Sequence, residues 1–288
     1  MQDYFIPPGL PAPQGLYHPR FERDACGLGF VANIEGQKSH DIILKGIQIL
    51  INLTHRGACG CDPETGDGAG VTIQVPHAFF DRECARLGFT LPAPGEYGVG
   101  MTFLPVERHE RMLCEGMLEK IVREEGLSVL GWRDTPIDAT MIGRLARSTQ
   151  PYIQQIFVRR SLGMDQDALE RKLYVVRKRA EAAVAQSDWK EKGLFYIPSL
   201  SSRTLVYKGL LLAPQIAHFY KELSDPEVVS ALCHFRGMTN LQKLAIGRRL
   251  SEVAHDRFGI SRGGAGYANL YRSRQLIQSP RLASRESK

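Results

Sequence analysis

Apolar and polar positions along the chain fall into blocks of two periodicities. Residues 26 to 34 form a short apolar stretch bounded by glycine, the pattern of a buried strand. From His40 to Leu53, Ile43, Ile47, Leu50 and Ile51 recur at helical spacing, so a strand is followed by a helix. Further strands are predicted over Tyr97 to Leu104, Leu127 to Trp132, Tyr152 to Val158, Leu194 to Leu200, Thr204 to Tyr207 and Val228 to Cys233. Helices are predicted over His77 to Leu87, Glu107 to Glu125 and Asp165 to Gln186. The last is rich in Lys and Arg, but it also holds acidic positions and an apolar stripe, so its charges read as a solvated face. This alternation of strand-rich and helical blocks indicates a layered α/β class without giving the order of the layers.

Composition narrows the picture. A chain of 288 residues with 43% hydrophobic content can bury one sizeable core. No apolar run approaches the ~20 residues that cross a bilayer, and the opening Met1-Gln2-Asp3-Tyr4 lacks the basic and apolar regions of a secretory signal. The expected setting is the cytoplasm, with no membrane partner. The net charge of +6 is uneven: residues 241 to 288 hold ten Lys or Arg against three Asp or Glu, whereas the preceding 240 hold 27 basic and 28 acidic residues. Basicity therefore belongs to the tail, and the rest gives no case for nucleic-acid binding.

The six cysteines are scattered rather than set in a small secreted framework, so they read as thiols. Cys59 and Cys61 with nearby His55 could begin a zinc site, but two ligands one residue apart need more from elsewhere, and a glycine-rich loop of small residues is the simpler reading. No metal is expected. Cys26, in Asp24-Ala25-Cys26-Gly27-Leu28-Gly29-Phe30, has a bland reading as a small apolar residue opening a strand. It also has a chemical one. Removal of residues 1 to 25 would place an α-amine, with pKa near ~7.7 to 8.0, on the carbon that bears a thiol of pKa ~8.5. The amine could then take the thiol proton directly or through one water.

Longer stretches decide between these. Thr54-His55-Arg56-Gly57-Ala58-Cys59-Gly60-Cys61-Asp62-Pro63-Glu64-Thr65-Gly66-Asp67-Gly68-Ala69-Gly70-Val71 resembles the glutaminase domain at the N-terminus of the glutamate synthase large subunit. Pro94 to Pro105, Leu130 to Arg133, Phe195 to Leu211 and Leu223 to Pro226 resemble it too, so the likeness runs in order over residues 21 to 240. The resemblance implies a four-layer αββα sandwich of the N-terminal nucleophile hydrolase type, in which Cys26 attacks the side-chain amide of glutamine. It implies a propeptide over 1 to 25, an amidotransferase domain over 26 to 240, and a role in glutamate biosynthesis and ammonia assimilation. His234-Phe235-Arg236 followed by Thr239-Asn240 matches the family's His-x-Arg and Thr-Asn, so Arg236 carries over as the clamp on the glutamine α-carboxylate. A planar guanidinium fork suits that task. Asp67 and Thr239 are implied as supporting residues. Gly237 and Met238 depart from the aromatic and serine usual there.

After Asn240 the pattern departs. Where the family has an Asn-Gly pair that forms the oxyanion hole, this chain reads Ala254-His255-Asp256-Arg257-Phe258. Asp256 is an acceptor where a donor is needed, and Arg257 has a Cβ where glycine allows close approach. The later aspartate that binds the substrate ammonium has no counterpart. Residues 241 to 288 therefore read as a basic, divergent tail, with a short amphipathic helix over Leu241 to Phe258 and then a segment of disorder-like composition. A truncated or frame-shifted reading of the gene would account for both the lost motifs and the charge shift.

L-glutamine is the expected substrate, and a separate synthase-domain or reductase subunit the expected recipient of ammonia. The FMN and iron–sulfur cluster of glutamate synthases are implied only for their later domains, so no cofactor is expected in this chain; its cysteines also lack iron–sulfur spacing. Two other readings remain open: a catalytically impaired remnant or regulatory subunit of a glutamate synthase, and a polyanion-binding module acting through the basic tail.

Overall fold

The computed structural model describes residues 27–54, 62–66 and 68–237, with the side chains of 236 and 237 outside that description. Eight strands are described: β1 (Gly27–Ala32), β2 (Ala69–Gln74), β3 (Tyr97–Leu104), β4 (Ser128–Asp134), β5 (Tyr152–Arg159), β6 (Tyr196–Ser201), β7 (Thr204–Gly209) and β8 (Leu232–Gly237). The α-helices are α1 (His40–Asn52), α2 (His77–Arg86), α3 (Arg108–Glu124), α4 (Arg144–Ser148), α5 (Gln166–Ala185) and α6 (Ile216–Phe219).

Two antiparallel four-stranded sheets result, in the orders β1-β8-β2-β7 and β4-β5-β3-β6. α1 packs on β1 and β8 of the first sheet, while α3 and α5 pack on the second. The sheets adjoin through β6 and β7 and through β3 and β7. Helices thus flank a pair of sheets, as the expected αββα layering requires.

Side-chain alternation shows why the second sheet is covered on both faces. Val99 and Met101 of β3 and Ile153 and Phe157 of β5 join the core that contains α1, α2 and the first sheet. Their alternates Leu104, Ile156 and Val158 join a second core with Leu118 and Val122 of α3 and Leu173 and Val176 of α5. Strands buried on two faces lose the polar alternation of a solvated sheet, hence their continuous apolar runs. Helix starts are fixed locally. The Glu107 carboxylate accepts from the His109 and Glu110 N–H groups at 2.8 Å each, and Asp165 accepts from Ala168 N at 2.6 Å. In α1, Gly46 lets the helix approach β8, since a Cβ there would lie 2.5 Å from Cys233 Sγ.

Most predicted elements stand within one or two residues of their expected bounds, with three corrections. The last strand runs over Leu232–Gly237 rather than Val228 to Cys233. Its polar residues His234 and Arg236 hid its extent, whereas Ser230 instead turns back to exchange backbone hydrogen bonds with Ser39. β2 was not expected, because its alternation of Ala69, Val71 and Ile73 with Gly70, Thr72 and Gln74 lay inside a motif read for its glycines. Finally, the charges of α5 are not all solvated: Arg177 is 1% exposed and pairs with Glu181 at 2.9 Å. The helix expected over Leu241 to Phe258, the proposed propeptide and the tail lie outside the described residues.

Candidate active site

The antiparallel registers bring one end of four strands into line. Gly27 of β1 pairs with Gly237 of β8, which pairs with Ala69 of β2, which pairs with Gly209 of β7. One residue inward, Leu28, Arg236, Gly70 and Lys208 form the next row. Cys26 is bonded to Gly27, Asp67 stands two residues before β2, and Thr239 two residues after β8. Cys26, Asp67 and Thr239 themselves lie outside the described residues. All four expected site residues therefore belong to segments that meet at this end of the first sheet, and Arg236 is placed by its backbone register next to β1.

The approach to Asp67 is held by a polar lattice that sequence reasoning missed. Asp62 accepts from Thr65 Oγ1 at 2.8 Å, from Glu64 N at 3.1 Å and from Leu145 N at 3.1 Å, so it closes its own turn and caps α4. The Leu145 backbone bond, followed by the Thr65 side-chain bond, holds the Asp62 carboxyl below its usual range. Buried Gln215 donates to Glu64 O at 2.9 Å and to Met141 O at 2.7 Å. Gly66 packs so closely that a Cβ there would lie 2.3 Å from Leu211 O. The Asp62-Pro63-Glu64-Thr65 sequence carries the turn signal, since aspartate readily accepts from the second following N–H. Gln215 offers no such signal.

Lys208 is the second residue not foreseen. It is half-buried, and its Nζ donates to Tyr196 Oη at 3.2 Å and lies 4.3 Å from the Tyr196 ring centroid. The pair borders a cavity of about 210 Å³ that Phe103, Ile153, Leu211 and Tyr220 also line.

Nucleophile candidates narrow in the same way. Cys84, Cys114 and Cys233 are fully buried, and burial pushes each thiol up to about 12, which suppresses the thiolate. Cys59 and Cys61 lie outside the described residues. Among the described residues, no group of three or more His, Cys, Asp or Glu is placed to hold a metal ion, and no helix is long and apolar enough to cross a membrane.

Residues 26–244 match the family described as class-II glutamine amidotransferases, the match beginning at Cys26. The chain is 45% identical over 236 residues to the glutamate synthase [NADPH] large chain of Bacillus subtilis strain 168, covering 80% of this chain and 15% of that protein. It is 38% identical over 239 residues to the glutamate synthase [NADH] of Schizosaccharomyces pombe, with 80% and 11% covered. Against the chloroplastic ferredoxin-dependent glutamate synthase of Oryza sativa the identity is 36% over 269 residues, with 92% and 16% covered. The chain thus spans less than a fifth of the length of these relatives.

Proposed function

Given that the chain belongs to the class-II glutamine amidotransferases, we propose that Cys26, freed as a new N-terminus, hydrolyses the side-chain amide of glutamine to glutamate and ammonia. The observation that carries this reading is the register that sets Gly27, Gly237 and Ala69 in one row, because it gathers the segments bearing Cys26, Arg236, Asp67 and Thr239.

The chemistry follows from those residues. The Cys26 α-amine takes the thiol proton, and the thiolate attacks the γ-carbonyl carbon. The tetrahedral intermediate collapses as the same proton passes to the leaving nitrogen, releasing ammonia and leaving a thioester. Water, deprotonated by the same amine, then cleaves the thioester to glutamate. Arg236 holds the α-carboxylate through a two-pronged contact. Asp67 and Thr239 support the loops that border the substrate. The glutamate synthase relatives support a place for this domain in glutamate biosynthesis, with ammonia passing to synthase machinery that contains FMN and an iron–sulfur cluster outside this chain. Separate synthase or reductase subunits would supply it, in the cytoplasm.

The test is intact mass and labelling. The mature chain should begin at Cys26, and a diazo-ketone glutamine analogue should add once, at that residue. Cys26→Ser should abolish the adduct, while Cys84→Ala, Cys114→Ala and Cys233→Ala should retain it. An adduct that persists in Cys26→Ser would refute the assignment.

A further inference from the structure

Lys208 has no counterion among the described residues. No carboxylate there pairs with it, and its Nζ has only the hydroxyl and ring of Tyr196. An aromatic face offsets part of the cost of withdrawing an ammonium from water, but it leaves the charge unneutralised. A half-buried lysine in that state is ready for an anion.

Its position says which anion. Lys208 and Arg236 occupy one cross-strand row, separated only by Gly70 of the intervening strand. Adjacent strands stand about 4.8 Å apart, so the two backbones are roughly 10 Å apart. Between them is a residue with no side chain, and it cannot easily carry one: a Cβ on Gly70 would lie 2.9 Å from Lys208 Cβ and 3.0 Å from Tyr207 O. The row beyond, toward Cys26, is Gly27, Gly237, Ala69 and Gly209, with nothing larger than a methyl group.

We propose that Lys208 is a second cation of the glutamine α-carboxylate site, set opposite the Arg236 position across Gly70. This rests on the glutaminase reading and adds to it a substrate-binding residue that selects ligands carrying an α-carboxylate. Tyr196 positions the ammonium and prevents it from extending fully into solvent. A lysine that merely packs on Tyr196 would instead support the fold, whatever the ligand.

Titration calorimetry separates the two. In the full chain carrying Cys26→Ala, which lacks the nucleophile, L-glutamine and its α-carboxamide analogue are titrated with and without Lys208→Met. Loss of one charge-assisted contact should weaken glutamine about tenfold or more. The α-carboxamide, which has no charge for Lys208 to meet, should change less than about twofold, and Lys208→Arg should retain most of the glutamine affinity. Equal weakening of both ligands, unchanged glutamine affinity in Lys208→Met, or no glutamine binding to the Cys26→Ala chain would each overturn the proposal. Diazo-ketone labelling of the wild-type chain reports separately on the nucleophile. An adduct away from Cys26, with the Lys208 selectivity intact, would sink the nucleophile assignment and leave the carboxylate site standing.

Discussion

Replacing Glu222 by leucine should expose how the second sheet is fastened to the turn after α6. Arg133 of β4 is 5% exposed and Glu222 3%. The guanidinium donates to Glu222 Oε2 at 2.6 Å and to Gln155 Oε1 at 2.7 Å, and reaches Glu83 Oε2 at 3.3 Å. Gln155 in turn donates to the other Glu222 oxygen at 2.7 Å. Burial alone would pull the Arg133 pKa down, yet the charge and hydrogen bond of Glu222 outweigh it and the net shift is upward. Removing one partner of a buried pair costs about 3 to 5 kcal/mol, because the other charge is stranded. Glu83 remains as a longer contact, so the lower end applies, about 3 kcal/mol. For a domain of this size that corresponds to roughly 6 to 12 °C in Tm. The assay is denaturant unfolding of Glu222→Leu, Arg133→Met and the double variant, combined as a double-mutant cycle. The double variant strands no charge and should lie closer to wild type than Glu222→Leu does. A Glu222→Leu loss below about 1 kcal/mol, or a double variant whose loss equals the sum of the singles, would refute this account.

Other outcomes follow from the same physics. Gly46→Ala places a methyl 2.5 Å from Cys233 Sγ and should cost about 1 to 3 kcal/mol in denaturant unfolding, part of it recovered by Cys233→Ala. Burial raises the Cys84, Cys114 and Cys233 thiols to about 12, whereas unfolded thiols titrate near ~8.5. The unfolded chain therefore binds fewer protons above pH ~8.5, so the thiol contribution is complete below that pH and is lost as pH rises toward 12; a flat unfolding midpoint from pH 8 to 11 would contradict it. Arg236→Lys should weaken glutamine binding in calorimetry, because an ammonium cannot reproduce the two-pronged grip. With Asp256-Arg257 in place of the Asn-Gly donors, the processed chain should turn glutamine over about 10² to 10³ more slowly than a chimera that restores them, as ammonia release would measure.

The layered fold was legible because most strands here are uninterrupted apolar runs and the long helices carry clear stripes with acidic caps. The β2 strand escaped because glycine and alanine hold its first two positions, and periodicity needs side chains to be visible. Arg236 could be found through the His-x-Arg match, but its neighbours across the sheet could not. Register is a long-range property, and nothing near Lys208 in the chain announces that Gly70 and Arg236 lie beside it. Gln215 was silent for a related reason: its two carbonyl partners come from loops more than 70 residues away, at Glu64 and Met141.

β8 is inserted between β1 and β2, with Leu28 paired to Arg236 and Gly70 paired to the same residue. The first strand of the sheet thus has no neighbour until the last one arrives, after some two hundred residues have been synthesised. Pairings of such sequence separation close late and slowly, since loop entropy must be overcome before any ladder bond compensates it. Until then β1 is an open edge, able to pair with another chain. The order of folding therefore times the chemistry: the row that adjoins Cys26 cannot form until the last strand, some two hundred residues on, has been synthesised.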